Sequence, residues 1–333
     1  MVLKHKWIFL LLAAVLVLSL VMVGCAEKKE PWGGGEPDNR VFILEDPLEF
    51  WGFNATVKKA GNVDWIAENP KAAELIRQVK MTANDIGWMM AEIEEQGDDP
   101  AILEALAREW MAEHQKEVDS WLEAAAGVAG EPTEKHVIFT SGAWSGDWLT
   151  IYVPKILLEE EMGYTTEIAD LSIPAAFVAV AAGEADLWTD SWLPNQQHLW
   201  DKYADKIDFL GVIYGGEPTP ENICLQAWFI PKWVSEHYGI TSITDLDNPE
   251  FAKMFDIDGD GIGDLLGCDA AWTCGVANDE MIVAYGLDTL YEQQYGAETM
   301  MTAAIEGRLK KGEPVLFYYY TPHPFFIKYP ITE

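Results

Sequence analysis

Apolar residues recur at steps of three and four between residues 75 and 93: Leu75, Ile76, Val79, Ala83, Ile86, Met90 and Ile93. That spacing lines one face of a helix. Asn69-Pro70 ahead of it is a start signal, a capping residue followed by proline at the first helical position. Asp99-Pro100 repeats the signal, and Leu103, Leu106, Trp110, Val118, Trp121 and Leu122 predict a second long helix. Residues 127–133, with Gly127, Gly130 and Pro132, read as a linker. Beyond it the period changes. Residues 136–140, 165–171 and 185–189 read as strands separated by helices over 148–162 and 175–182, and 209–214, 227–230 and 315–320 as further strands. Strands alternating with helices predict an α/β fold with parallel layers. There is no internal repeat.

The first residues change the picture of where the chain works. Lys4 and Lys6 precede an apolar run over residues 7–23 that only Ser19 interrupts, ending in Gly24-Cys25. Its 17 residues are marginal for a membrane span, and its flanks fit a secretory signal. A small residue directly before a lone cysteine is the pattern of a bacterial-type lipoprotein signal over residues 1–25. That predicts acylation of Cys25, making it the first mature residue, and a chain anchored to the membrane outside the cytoplasm. The alternative, an uncleaved anchor helix, leads to the same compartment. Residues 26–39, rich in Glu, Lys, Gly and Pro, predict a flexible tether.

Residues 40–333 are enough for two modest lobes, and 49% apolar residues with 15 Trp can form a core. The 55 Asp and Glu against 22 Lys and Arg leave a net charge of −33, which excludes nucleic acid and an anionic membrane surface as partners.

In an oxidising compartment, Cys268 and Cys274 predict a short disulfide loop. A metal site would need further Cys or His close by in sequence, and none is. Cys224, in an apolar stretch, reads as a buried free thiol. Asp256-Ile257-Asp258-Gly259-Asp260-Gly261 with Asp264 has the alternating oxygen ligands and turn glycine of a calcium loop, although Gly267 stands where an EF-hand carries Glu. Two readings stay open for Asp256, Asp258, Asp260 and Asp264: a structural Ca²⁺ and an acidic turn without metal. No other cofactor is required. Motifs of the rival class, an enzyme, are missing: there is no G-x-S-x-G elbow, no H-E-x-x-H and no phosphate loop. The six His are scattered along the chain.

Aromatic residues carry the functional signal. Trp144, Trp192 and Tyr320 each stand where a loop leaves a predicted strand, and Trp272 lies inside the Cys268–Cys274 loop. Ligands of open α/β sheets bind beyond the carboxyl ends of strands. Ring faces gathered there attract a cation that cannot donate hydrogen bonds, each contact contributing roughly 0.5–2 kcal/mol.

Three motifs in order resemble the glycine betaine/proline betaine substrate-binding proteins of ABC importers. They are Gly183-Glu184-Ala185-Asp186-Leu187-Trp188 running into Trp192-Leu193-Pro194, residues 253–261 continuing to Gly267-Cys268-Asp269-Ala270-Ala271-Trp272-Thr273-Cys274, and residues 314–322. The similarity spans roughly residues 135–325. The resemblance implies a two-lobe periplasmic-binding-protein fold, type II-like, with ligand caught between the lobes. It implies an aromatic box of Trp192, Trp272 and Tyr320, the last a position where the family often has Trp. Trp144 and Asp147 resemble a Trp and an Asp that join the box in the choline-binding branch. The backbone N–H groups of Thr273 and Cys274 would meet a ligand carboxylate, helped by the neutral side chain of Gln196.

The implied partners are a quaternary-ammonium solute, glycine betaine first and choline or carnitine as alternatives, and an ABC permease with its ATPase. A sensory binding protein of the same fold is the other reading. One feature departs from the family. Residues 62–125 resemble its C-terminal helices but precede the first strand, and the chain stops at Glu333 where relatives continue. The expectation is a circularly permuted order, with one lobe at 99–215 and the other split between 40–98 and 216–333. The alternative is an independent helical domain over 40–125.

Overall fold

The computed structural model of the protein describes residues 37–51, 54–132, 134–142 and 144–332. The predicted signal, the acylated Cys25 and most of the tether lie outside the described residues. Two sheets organise the chain. The five-stranded one runs in the order β4-β3-β5-β2-β6, built from β2 (Thr56–Asn62), β3 (His136–Ser141), β4 (Thr165–Asp170), β5 (Leu187–Leu193) and β6 (Ile207–Gly215). The six-stranded one runs β11-β1-β7-β10-β8-β9, from β1 (Val41–Ile43), β7 (Gln226–Pro231), β8 (Gly263–Leu266), β9 (Tyr291–Gln294), β10 (Leu316–Tyr320) and β11 (Ile331–Thr332). The fold is α/β, as the alternating pattern predicts. The sheets are mixed rather than parallel throughout: β2 runs antiparallel to both its neighbours, and β7 to both of its own.

Helices α1 (Val63–Glu68), α2 (Pro70–Gln78), α3 (Ala83–Gln96), α4 (Pro100–Glu113), α5 (Gln115–Ala126), α6 (Asp147–Met162), α7 (Ile173–Ala182) and α8 (Gln197–Lys202) accompany the five-stranded sheet. Helices α9 (Lys232–Tyr238), α10 (Pro249–Phe255), α11 (Thr273–Ala284), α12 (Glu298–Lys311) and α13 (Phe325–Lys328) accompany the other. One core gathers Ala60, Phe177, Val180, Trp188, Leu199 and Ile207. The second gathers Val41, Phe229, Phe317, Ile305, Leu309 and Phe325.

The two long helices expected from periodicity are each broken once. Thr82 opens α3 as a cap, its hydroxyl accepting from Asp85 N–H while the Asp85 carboxylate accepts from Thr82 N–H. His114 ends α4, stacked on Trp110 with ring centroids 4.1 Å apart.

Strand β2 went unpredicted because Lys58 and Lys59 hide it. Lys59 is buried, and its Nζ donates to the carbonyls of Arg77 and Val79 at the end of α2. Burial, with Lys80 adding a like charge, lowers its pKa to about 7. Since β2 hydrogen-bonds to β5 and β6, residues 56–62 and the helices after them belong with the five-stranded sheet. The expected boundary, which put 40–98 with the 216–333 half, is corrected accordingly. Only the segment around β1 joins the six-stranded half, where β1 pairs with β11 and Asn39 Nδ2 donates to Lys328 O at 2.7 Å. That brings the two ends of the described chain together.

The chain passes between the halves twice, before β2 and after β6, and the crossings are tied to each other. Ala55 N–H donates to Cys224 O at 2.7 Å and Gly216 N–H to Ala55 O at 2.9 Å. Gly215, at φ +75°, is required here, because a Cβ would lie 2.4 Å from Ala55 O. Cys224 is a buried free thiol in this crossing, as expected.

Candidate ligand-binding site

Strand period sets the walls of the site. In β5, Trp188, Asp190 and Trp192 stand at two-residue steps and so share a face. In β10 the same step places Tyr318 and Tyr320 together, and the antiparallel register sets Gln226 of β7 directly opposite Tyr320. All six line one cavity between the halves, with Trp144 from the loop after β3 and Trp272, Thr273 and Cys274 from the start of α11. Its water-accessible volume is about 50 Å³, room for several water molecules.

Three rings form a corner. Trp144 and Trp192 lie 5.8 Å apart at 74°, Trp144 and Tyr320 5.6 Å at 78°, and Trp192 and Tyr320 6.1 Å at 76°. Each edge proton goes to a carboxylate. Trp144 Nε1 and Trp192 Nε1 both donate to Asp190 Oδ2, at 2.9 and 3.0 Å, while the Tyr320 hydroxyl donates to Glu298 Oε1 at 2.5 Å. These bonds fix the rings by their edges, and all three residues line the hollow.

Asp190 is buried, and its other oxygen accepts from Tyr214 OH at 2.8 Å. Burial pushes its pKa up to about 7, against the opposing pull of the Tyr214, Trp192 and Trp144 donors. Glu298 behaves differently. Burial raises its pKa, but donors from His323, Tyr320 and Ser145 outweigh that and the net shift is downward.

Trp272 stands at the N-cap of α11 and packs, partly buried, against the core of the opposite half. Thr273 and Cys274 are the first two residues of α11, so their N–H groups have no intrahelical acceptor, and the positive end of the helix faces the cavity. The Cys268–Cys274 disulfide is formed, as expected, and closes the loop that carries Trp272.

The sequence matches a known family. A model of the substrate-binding domain of ABC-type glycine betaine transport systems, OpuAC, matches residues 36–113 and 135–333. The chain belongs to the OpuAC family. The family is one of substrate-binding domains and not of enzymes. The glycine betaine/proline betaine-binding periplasmic protein of Escherichia coli strain K12 is 30% identical over 177 residues, 52% of this chain and 51% of that protein. The glycine betaine-binding periplasmic protein OusX of Dickeya dadantii shows the same 30% over 177 residues, again 52% of this chain and 51% of its own. The chain thus spans about half the length of the curated relatives it matches. Among solved structures, the glycine/betaine/L-proline-binding protein (ProX) of Borrelia burgdorferi aligns with a TM-score of 0.50 at 26% identity, covering 59% of this chain and 66% of that one.

Of the residues the OpuAC resemblance singled out, Trp144, Trp192, Gln196, Trp272, Thr273, Cys274 and Tyr320 all line the cavity. Asp147 does not. It is buried under the end of β3, where its Oδ2 accepts from Gly142 N–H at 2.7 Å and from Ser141 Oγ at 3.1 Å. Burial, then the Asp190 carboxylate, pushes its pKa well up. Through Oδ2, Asp147 braces the loop before Trp144. Sequence reading passed over Trp188, Asn195, Gln226 and Tyr318; the alternation in β5 and β10 is the signal that finds Trp188 and Tyr318.

The acidic turn also divides. Asp256, Asp258 and Asp260 bring carboxylate oxygens within 4.8 Å of one another. Asp264 is buried instead, its oxygens accepting from Ile257 N–H and Gln294 Nε2, both at 2.6 Å.

Proposed function

We propose that this chain captures a quaternary-ammonium compatible solute, glycine betaine foremost, outside the cytoplasm and hands it to an ABC permease. The observation that carries the reading is the corner of three rings backed by carboxylates, set in the same cavity as an open helix N-terminus. A trimethylammonium group has no N–H to satisfy, so ring faces and a nearby negative charge suit it. A carboxylate suits the Thr273 and Cys274 amides. Glycine betaine carries both groups.

The two halves would supply different parts of the cage. Trp144 and Trp192 come from the five-stranded half; Tyr320, Trp272 and the α11 amides come from the other. A ligand touching both favours the closed arrangement by its differential affinity, and the importer would read that shape. Membrane attachment through Cys25 belongs to the same proposal and is supported by the signal pattern ahead of it. Among the described residues no helix is long and apolar enough to cross a membrane.

Titration calorimetry with glycine betaine, proline betaine, choline, carnitine and unmethylated glycine tests the reading. Glycine betaine is expected to bind most tightly and glycine not at all; equal binding of glycine would remove the cation–π cage from the account.

A structural Ca²⁺ held by Asp256, Asp258 and Asp260 is a separate proposal, supported by the convergence of their oxygens. The melting temperature is expected to be higher in millimolar Ca²⁺ than in chelator. Identical melting curves would retire the metal.

A further inference from the structure

Three buried polar atoms on residues lining the cavity have no partner in the protein: Gln226 Nε2, Asn195 Oδ1 and Trp188 Nε1. Leaving such atoms unpaired is costly, so their concentration in one hollow points to a ligand group that satisfies them. Gln226 is the best defined of the three. It is 7% exposed. Its Oε1 accepts from Tyr318 OH at 2.9 Å and from Asn195 Nδ2 at 3.1 Å. Turning this amide alone would set its NH₂ against the Asn195 NH₂. In this orientation the oxygen accepts from both neighbours and the NH₂ is a donor without an acceptor.

Its position decides what acceptor it awaits. Gln226 pairs with Tyr320 across β7 and β10, and Asn195, which holds it, also reaches Thr273 Oγ1 at 3.4 Å. Gln226 therefore lies between the ring corner, through Tyr320, and the start of α11, to which Asn195 links it. Asn195 comes from the five-stranded half and Gln226 from the other, so the orientation of this donor is completed only when the halves meet.

We propose that Gln226 is a specificity-determining residue that donates from Nε2 to the ligand carboxylate and so makes the cleft favour a betaine over choline. The inference rests on the betaine reading of this cavity. A choline hydroxyl accepts a hydrogen bond without charge, whereas a carboxylate oxygen accepts a charge-assisted one, roughly twice as strong.

The test is calorimetry of the wild type, Gln226→Met and Gln226→Glu with glycine betaine and with choline. Glutamate keeps the oxygen that Asn195 and Tyr318 need and removes the donor; methionine removes both. Cooperative melting is checked for each. Glycine betaine binding is expected to weaken roughly 10- to 100-fold in Gln226→Met, the range of a hydrogen bond to a charged group, and further in Gln226→Glu. Choline binding should stay within about threefold of the wild type in Gln226→Met, and stay level or tighten in Gln226→Glu, where an added negative charge attracts the cation. If both variants keep the wild-type ratio of the two ligands, Gln226 does not select and the inference falls alone. If the wild type itself does not prefer glycine betaine to choline, the betaine reading falls and takes this inference with it.

Discussion

Trp192→Ala is expected to weaken glycine betaine binding by about 30- to 150-fold, equivalent to roughly 2–3 kcal/mol. The indole contributes more than a face. It meets Trp144 and Tyr320 edge-on, touches Tyr214 at 6.0 Å and 80°, and gives its proton to Asp190. Its removal opens a water path to Asp190 and unfixes two other rings. Trp192→Phe retains a face without the N–H and is expected to lose only about 5- to 10-fold, since a π-face survives. Trp272→Ala should fall between them, because that ring is half-buried and outside the three-ring corner, and its N-capping backbone persists in the variant. Calorimetry on cooperatively melting variants reads all three. Binding by Trp192→Ala within threefold of the wild type would mean that the ligand sits elsewhere.

Affinity for a quaternary ammonium is expected to rise about tenfold between pH 6 and pH 8. Asp190 titrates at about 7 in the unliganded protein because burial disfavours its charge. A cation in the ring corner favours the ionised form. If only that form binds well, the apparent dissociation constant scales with the inverse of its population, which is roughly 10% at pH 6 and 90% at pH 8. Asp147 sits beside Asp190 and resists the same ionisation, while Glu298, shifted down, stays charged throughout.

Stability runs the other way. The folded-state value of Asp190 is raised above the unfolded one, near 3.9, so its contribution is fully present below pH 4 and lost as pH rises through 7. A rise of that size corresponds to roughly 4 kcal/mol. Thermal unfolding of the unliganded protein should therefore become easier between pH 5 and 8, and the stabilisation by saturating ligand should grow over that window. Asp190→Asn keeps an acceptor for the indoles and removes the charge. It is expected to flatten the pH dependence and to lower affinity about 100-fold, from a unit charge roughly 6 Å away at an effective dielectric constant of about 20. A pH profile as steep as the wild type's in Asp190→Asn would assign the titration to another group.

Local patterns were enough for much of the fold. Helices with a clear apolar face and a proline start, such as α2 and α4, were visible because their signals lie within a few residues. Their breaks at Thr82 and His114 were not, since a cap inside a continuing apolar stripe competes weakly with the periodicity around it. β2 was invisible for a different reason. A strand containing two lysines reads as surface until the end of α2 supplies carbonyls for Lys59.

The sequence by itself determined the class of ligand site: aromatic residues at and just beyond strand ends, a cysteine-bounded loop and motifs whose order marks the family. These survive because each depends on a short stretch of chain. Only the tertiary structure decided which acids and amides serve those rings. Asp147 and Asp190 look alike in sequence, yet one is held beneath β3 and the other takes two indole protons, because strand register and not sequence distance sets their neighbours. The same register turned Gln226, four helices and two strands of chain away from Tyr320, into its cross-strand partner.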